Sequence, residues 1–198
     1  MKNPLPVAGL VLAAGSSSRM GQPKQLLEFE GQCLVARAVN QLIESGCSSV
    51  TTVLGANSEI IGSVLQNVAT KVVSNKDWSQ GIGTSIAYGV TEIPQASEAV
   101  LIALGDQPLI RTQHYRNLLQ QFSINETTIA ATQYPDGRSG VPALFIQCHF
   151  SALRELEGDS GAQSFIRRHP HSRIDVNGEL LDLDTPDDVA RLRQSQTR

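Results

Sequence analysis

A strand-like run, Val7–Ala13, leads into Ala14-Gly15-Ser16-Ser17-Ser18-Arg19-Met20-Gly21-Gln22-Pro23-Lys24. Two glycines, three serine hydroxyls and two cations thus lie within a short span. Gly15 and Gly21 permit positive φ and close backbone approach, so successive N–H groups can turn toward one anion. Arg19 offers a planar fork to phosphate oxygens and Lys24 a point charge. Read alone, the same stretch is also a flexible surface loop with two solvated cations. It is not a Walker A loop, which needs Gly-Lys-Ser/Thr entering a helix. Nor is it the GxGxxG fingerprint of dinucleotide binders.

A second candidate is Asp106, which follows the apolar run Ala99–Leu104. A carboxylate at the carboxyl end of a strand can hold Mg²⁺ against a nucleotide's phosphates. Just before Pro108 it also makes a good turn. Among the last acids, Thr185-Pro186-Asp187-Asp188 reads as an N-cap, a proline at N1 and first-turn carboxylates. Asp182 and Asp184 precede that cap. Thr84 and Ser85 follow two glycines and begin a short helix, Thr84–Val90, which their hydroxyls can cap. Trp78 reads as a core anchor. His114, His149, His169 and His171 show no metal spacing, and no Ser-His-Asp or Cys-His set stands out.

The elements that must carry these residues alternate. Strand-like runs at Val7–Ala13, Val50–Leu54, Lys71–Val73, Ala99–Leu104, Thr127–Thr132 and Ala143–Ile146 are separated by helical patterns. One helix has Leu34, Val35, Ala38, Val39, Leu42 and Ile43 on a stripe and stops at Gly46. Another, Ser58–Val68, has Ile60, Ile61, Val64 and Leu65 on its apolar face. Thr112 reads as the N-cap of a helix carrying Tyr115, Leu118, Leu119 and Phe122. Phe150–Leu156, Gly161–His169 and Thr185–Arg193 complete the set. The pattern predicts one α/β domain over residues 1–198, with a mainly parallel sheet and a loop-rich stretch after about residue 133. Ligands in such sheets bind beyond the strands' carboxyl ends, which singles out the loops after Ala13 and Leu104.

Composition narrows the function. Lys and Arg total 16 against 19 Asp and Glu, a net charge of −3, so a broad basic field for nucleic acid is not expected. No apolar run approaches the ~20 residues needed to span a bilayer. Residues 1–14 lack a signal-peptide pattern. Cys33, Cys47 and Cys148 include no CxxC pair, fitting neither a disulfide framework nor a zinc site. A cytoplasmic protein is expected.

The first loop resembles the LAAGxSxRMGxxK signature of cytidylyltransferase-type nucleotidyltransferases, and above all of the molybdenum cofactor cytidylyltransferase (MocA-like) family. The likeness continues through Gln25-Leu26-Leu27, Gly31, Trp78–Ser85, Gly105-Asp106-Gln107-Pro108, Gly140-Val141-Pro142, Gly158–Ala162 and Asp182–Pro186. It runs in order over nearly the whole chain. The resemblance implies a three-layer α/β sandwich, a Rossmann-like nucleotidyltransferase fold, with acceptor-binding insertions within 133–180. It implies that Leu12, Ala13, Ala14, Gly15, Ser16, Ser17, Ser18, Arg19, Lys24, Gly83, Thr84, Ser85 and Asp106 bind the nucleotide, and that Arg19, Lys24 and Asp106 are catalytic. Asp106 and Asp184 would be the Mg²⁺ ligands. Gln107, Pro108, Gly140, Val141, Pro142, Asp159, Gly161 and Ala162 fall to the acceptor side. Gln163 stands where many relatives carry Arg.

The implied reaction moves CMP from CTP to molybdenum-bound molybdopterin, a phosphorylated pterin, and releases pyrophosphate. A molybdenum hydroxylase or its maturation chaperone would take the product. Ala14 stands where related guanylyltransferases carry glycine, which favours CTP over GTP. Two other readings remain: a cytidylyl- or guanylyltransferase with another phosphorylated acceptor, and a non-catalytic nucleotide or cofactor delivery partner.

Overall fold

In a computed structural model, residues 6–18, 20–124, 127–176, 183 and 186–195 are described. Strand β1 (Val7–Ala13) is buried throughout. Its alternation serves two cores: Val7, Val11 and Ala13 face one, and Ala8, Leu10 and Leu12 the other. A strand apolar on both faces belongs in the middle of a sheet with helices on each side. It lies between β4 (Ser49–Leu54) and β6 (Ala99–Leu104), parallel to both. Beyond β4 comes β5 (Lys71–Ser74). Beyond β6 come β8 (Ser139–Ile146), β7 (Ile129–Gln133) and β9 (Ser172–Asp175). Only β8 runs antiparallel to its neighbours in this seven-stranded sheet. Short strands Glu28–Phe29 and Gln32–Cys33, β2 and β3, pair separately.

Helices α1 (Leu34–Ser45) and α4 (Thr112–Ile124) cover the first face. The second is covered by α3 (Ile82–Glu92), α5 (Phe150–Arg154) and α6 (Ala162–Arg167). The expected three-layer α/β architecture with a mostly parallel sheet is therefore present. Helix α3 packs tightly on the sheet at Gly89, where an added Cβ would lie 2.6 Å from Leu10 Cδ1 and 2.8 Å from Val53 Cγ2. The chain passes from β1 to β4 and β5 on one side, then returns to β6 on the other. A crevice consequently opens between the carboxyl ends of β1 and β6.

Several elements differ from the sequence reading. The strand expected at Ala143–Ile146 begins at Ser139, so Gly140-Val141-Pro142 lies inside β8. The β7–β8 register jumps there, from Ala131↔Ala143 to Thr132↔Gly140. Pro142, which has no N–H to give, thus sits where the ladder is already interrupted. Helix α2 is only Ser58–Val64, and of its expected apolar face Ile61 and Leu65 are buried while Ile60 is 58% exposed. Two turns beside β4 reach the sheet only at positions four apart. Thr112 begins α4 rather than capping it, because its hydroxyl donates to Glu44 of α1 at 3.1 Å. Edge strand β9 has no strand signal in the sequence, since Ser172–Asp175 alternates between half-buried and exposed without a full apolar run. Helix α7 (Pro186–Ser195) carries Asp187 and Asp188 in its first turn, as the cap reading requires. Thr185 lies outside the described residues.

Candidate active site

The loop after β1 is held by Gln25, which the family likeness includes without giving it a role. Gln25 is 2% exposed, and its amide nitrogen donates to the carbonyl of Gly15 at 3.1 Å. The Ser17 hydroxyl donates to Gln25 Oε1 at 3.3 Å and accepts the Lys24 backbone N–H at 3.1 Å. Ser17, not Gly15, takes the left-handed backbone conformation, at φ 53°. Such a conformation costs a non-glycine residue roughly 1–2 kcal/mol. The two hydroxyl bonds, with the Met20 N–H to Ser17 carbonyl bond at 2.9 Å, offset it. Gly15 contributes openness instead: a Cβ there would meet nothing within 4 Å. Gly15, Ser16, Ser17, Ser18, Met20, Lys24 and Leu183 line a cavity of about 240 Å³.

Lys24 also lines a second cavity of about 400 Å³. Its ammonium lies 2.6 Å from Asp106 Oδ2, with the two side chains 17% and 19% exposed. The carboxyl ends of β1 and β6 are thereby tied together across the crevice. Gln107, Gly140, Val141, Asp159, Gly161 and Ala162 share this second cavity with Tyr134 and Arg138. Pro108 and Pro142 stand behind it: the Pro108 carbonyl accepts from Arg37 at 3.3 Å, and the Pro142 carbonyl accepts from Thr132 at 2.7 Å. Tyr134 had no sequence signal. Its hydroxyl donates to the Val141 carbonyl and accepts from Gln107 Nε2. That relay fixes the Gln107 amide, leaving its buried Oε1 without a hydrogen-bond partner among the described residues.

The start of α3 is locked against the segment 157–161. The Gly83 N–H donates to the Gly158 carbonyl at 2.8 Å. At Gly81, φ 123°, an added Cβ would fall 2.2 Å from the Gly158 backbone. Thr84 and Ser85 point inward to Asn75, whose Nδ2 donates to their hydroxyls at 3.0 and 3.1 Å. Ser85 is 2% exposed and lines neither cavity. Leu12, Ala13 and Ala14 are likewise buried and support the loop from beneath. Trp78 is half-buried rather than a core anchor, because it lies in the irregular segment after β5. It packs over Gly55, where a Cβ would approach it to 2.5 Å. Arg19, Asp182 and Asp184 lie outside the described residues.

The histidines stay out of both cavities. His114 is buried, with Nε2 2.7 Å from Thr132 Oγ1, and burial pulls its pKa down to about 4. Among the described residues no group of three His, Cys, Asp or Glu side chains could hold a metal ion. Asp106 is a single hard oxygen ligand beside an open cavity. Mg²⁺ commonly binds one or two carboxylates and completes its shell with water and substrate phosphates, so this donor fits it. No helix among the described residues is long and apolar enough to cross a membrane.

Comparisons with known proteins give the family and agree with the fold. Residues 9–174 match the family model described as the MobA-like NTP transferase domain. Nicotine blue oxidoreductase of Paenarthrobacter nicotinovorans is 32% identical over 196 residues, 94% of this chain and 96% of that protein. The molybdenum cofactor cytidylyltransferase of Escherichia coli is 26% identical over 191 residues, 95% of this chain and 96% of its own. The crystal structure of Rv0371c from Mycobacterium tuberculosis superposes with a TM-score of 0.86 at 29% identity, covering 97% of this chain and 99% of that one. A further structure of that protein is a complex with manganese, with a TM-score of 0.82, 28% identity, and 96% and 99% coverage.

Proposed function

The chain belongs to the MobA-like NTP transferase family, and from that premise we propose that it transfers CMP from CTP to molybdenum-bound molybdopterin, releasing pyrophosphate. The observation that carries this reading is the Lys24–Asp106 pair, in which Lys24 lines both cavities and Asp106 the larger one. One cavity is a loop of backbone amides and hydroxyls suited to a polyphosphate. The other is roomier and suited to an acceptor. Nucleotidyl transfer needs two such compartments meeting at the α-phosphorus. The E. coli cytidylyltransferase supports the choice of pterin acceptor.

In this mechanism the loop at residues 15–18, Arg19 and Lys24 bind the triphosphate. Asp106 and Asp184 would hold Mg²⁺, which would supply charge neutralisation for the departing pyrophosphate. An acceptor phosphate oxygen is already ionised near neutral pH, so no general base is required. The chain's task is to align that oxygen in line with the leaving group. Tyr134 keeps the Gln107 side chain oriented at the wall of the acceptor cavity. Asn75 holds Thr84 and Ser85, and with them the first turn of α3. The product would pass to a molybdenum hydroxylase or its maturation chaperone.

Equal CTP and GTP supplied with Mg²⁺ and the molybdenum–pterin cofactor test the reading, with the product identified by mass. A CMP adduct with pyrophosphate release is expected. Dominant GMP incorporation would overturn the cytidylyl assignment, and nucleotide binding without any adduct would favour a delivery protein. The P. nicotinovorans relative marks a second reading, as an oxidoreductase. Reduction of nicotine blue by NADH or NADPH, with no adduct from CTP, would establish it instead.

A further inference from the structure

A third cavity, about 490 Å³, opens beside the acceptor cavity and shares Arg138, Gln163 and Ser164 with it. Its wall adds Arg167 from α6, Arg173 from β9 and His171 from the turn between them. No carboxylate among the described residues lines it. In a chain with more acids than bases this concentration of one sign is distinctive. Asp136 draws on Arg138, 2.5 Å from its Nε. Arg167 and Arg173 have no ion-pair partner among the described residues. The fold builds this wall deliberately enough to orient it. Ile174 packs into the α4-side core, which turns its neighbour Arg173 to the opposite face, toward α6. His171 is pinned by Nε2 to the Ser139 hydroxyl at 3.0 Å and by Nδ1 to the His169 carbonyl at 2.9 Å.

Guanidinium groups facing one concave space repel one another unless an anion sits among them. Their planar forks match the paired oxygens of a tetrahedral oxyanion or a carboxylate.

We propose that this basic cleft is an oxyanion-binding site that holds the anionic end of the acceptor remote from the phosphate that reacts. The proposal rests on the transferase reading and deepens it. The reacting phosphate occupies the cavity at Lys24 and Asp106, the body of the acceptor passes Gln163 and Ser164, and its far end reaches Arg167 and Arg173. Gln163, which stands where the resemblance leads one to expect Arg, lines both spaces. The cationic contact for the acceptor is thus supplied from α6 and β9 instead.

Inorganic sulfate is the probe for the site, titrated into the full chain while the imidazole resonances of His171 are followed by NMR. The same chain is then assayed for CMP transfer. Saturable shifts are expected, weakened at least tenfold in an Arg167→Gln/Arg173→Gln double variant and unchanged in Arg154→Gln. Both arginines are exposed, so a melting curve close to the parent's is expected of the double variant. In turnover the double variant should raise the acceptor KM tenfold or more, with kcat and the CTP KM unchanged. That pattern marks uniform binding energy on the acceptor side. Sulfate shifts that survive in the double variant would overturn the site. Lost sulfate binding with an unaltered acceptor KM would overturn its assignment to the acceptor. A parent chain that binds sulfate here yet transfers no nucleotide would overturn the transferase reading while upholding the oxyanion site.

Discussion

Replacing Lys24 by alanine should move metal binding and turnover in opposite directions. At 2.6 Å from Asp106, unit charges attract by roughly 6 kcal/mol at an effective dielectric of about 20, and by about 1.6 kcal/mol in bulk water. Both side chains retain some solvent, and desolvation and side-chain ordering oppose the attraction. A net coupling of about 1–2 kcal/mol follows. In the nucleotide-free chain, Lys24 therefore competes with a cation for Asp106. Its removal should tighten Mn²⁺ binding roughly 5–30-fold, the equivalent of that coupling. The same change deprives the triphosphate of a preorganised cation, which lowers kcat/KM on the order of 10²–10³-fold. Mn²⁺ titration by electron paramagnetic resonance without nucleotide gives the first number, and CTP-dependent pyrophosphate release the second. Mn²⁺ affinity that is unchanged or weaker in Lys24→Ala, or turnover within tenfold of the parent, would refute the exchange of Lys24 for metal at Asp106.

Gln25→Ala should cost about 1–3 kcal/mol of stability by stranding the groups that its buried amide satisfies; it should also raise the CTP KM, both read from urea melts and initial rates. Gly81→Ala places a Cβ 2.2 Å from the Gly158 backbone at φ 123°, so a loss of about 3 kcal/mol is expected, and a melting temperature near the parent's would contradict the lock. His114 titrates near 4 in the fold against about 6.5 unfolded. The unfolded chain thus binds the extra proton between those values, and stability falls as pH drops from about 6.5 toward 4. The loss should be about 2 kcal/mol at pH 5 relative to pH 8. Urea melts at the two pH values should show that difference shrinking in His114→Gln.

Much of the scaffold was legible before any coordinates. Val7–Ala13 and Ala99–Leu104 are apolar at every position but Gly9, and such runs can only be central strands. The loop between Gly15 and Lys24 is an anion-site candidate on residue type and spacing, though those residues taken alone also fit a solvated surface loop. What stayed hidden depends on partners far apart in the chain. Gln25 reads as an ordinary polar residue until the loop folds back over it. Asn75 gains its role only when β5 and α3 come together. Tyr134 meets Gln107 only because β7 and β8 lie beyond β6 in the sheet. The apolar pattern of Ser58–Val68 predicted a longer buried helix than the sheet edge could cover. Local pattern thus determined which segments become the central strands and where an anion could bind. The order of strands, a property of long-range packing, decided which polar side chains face each other across the crevice.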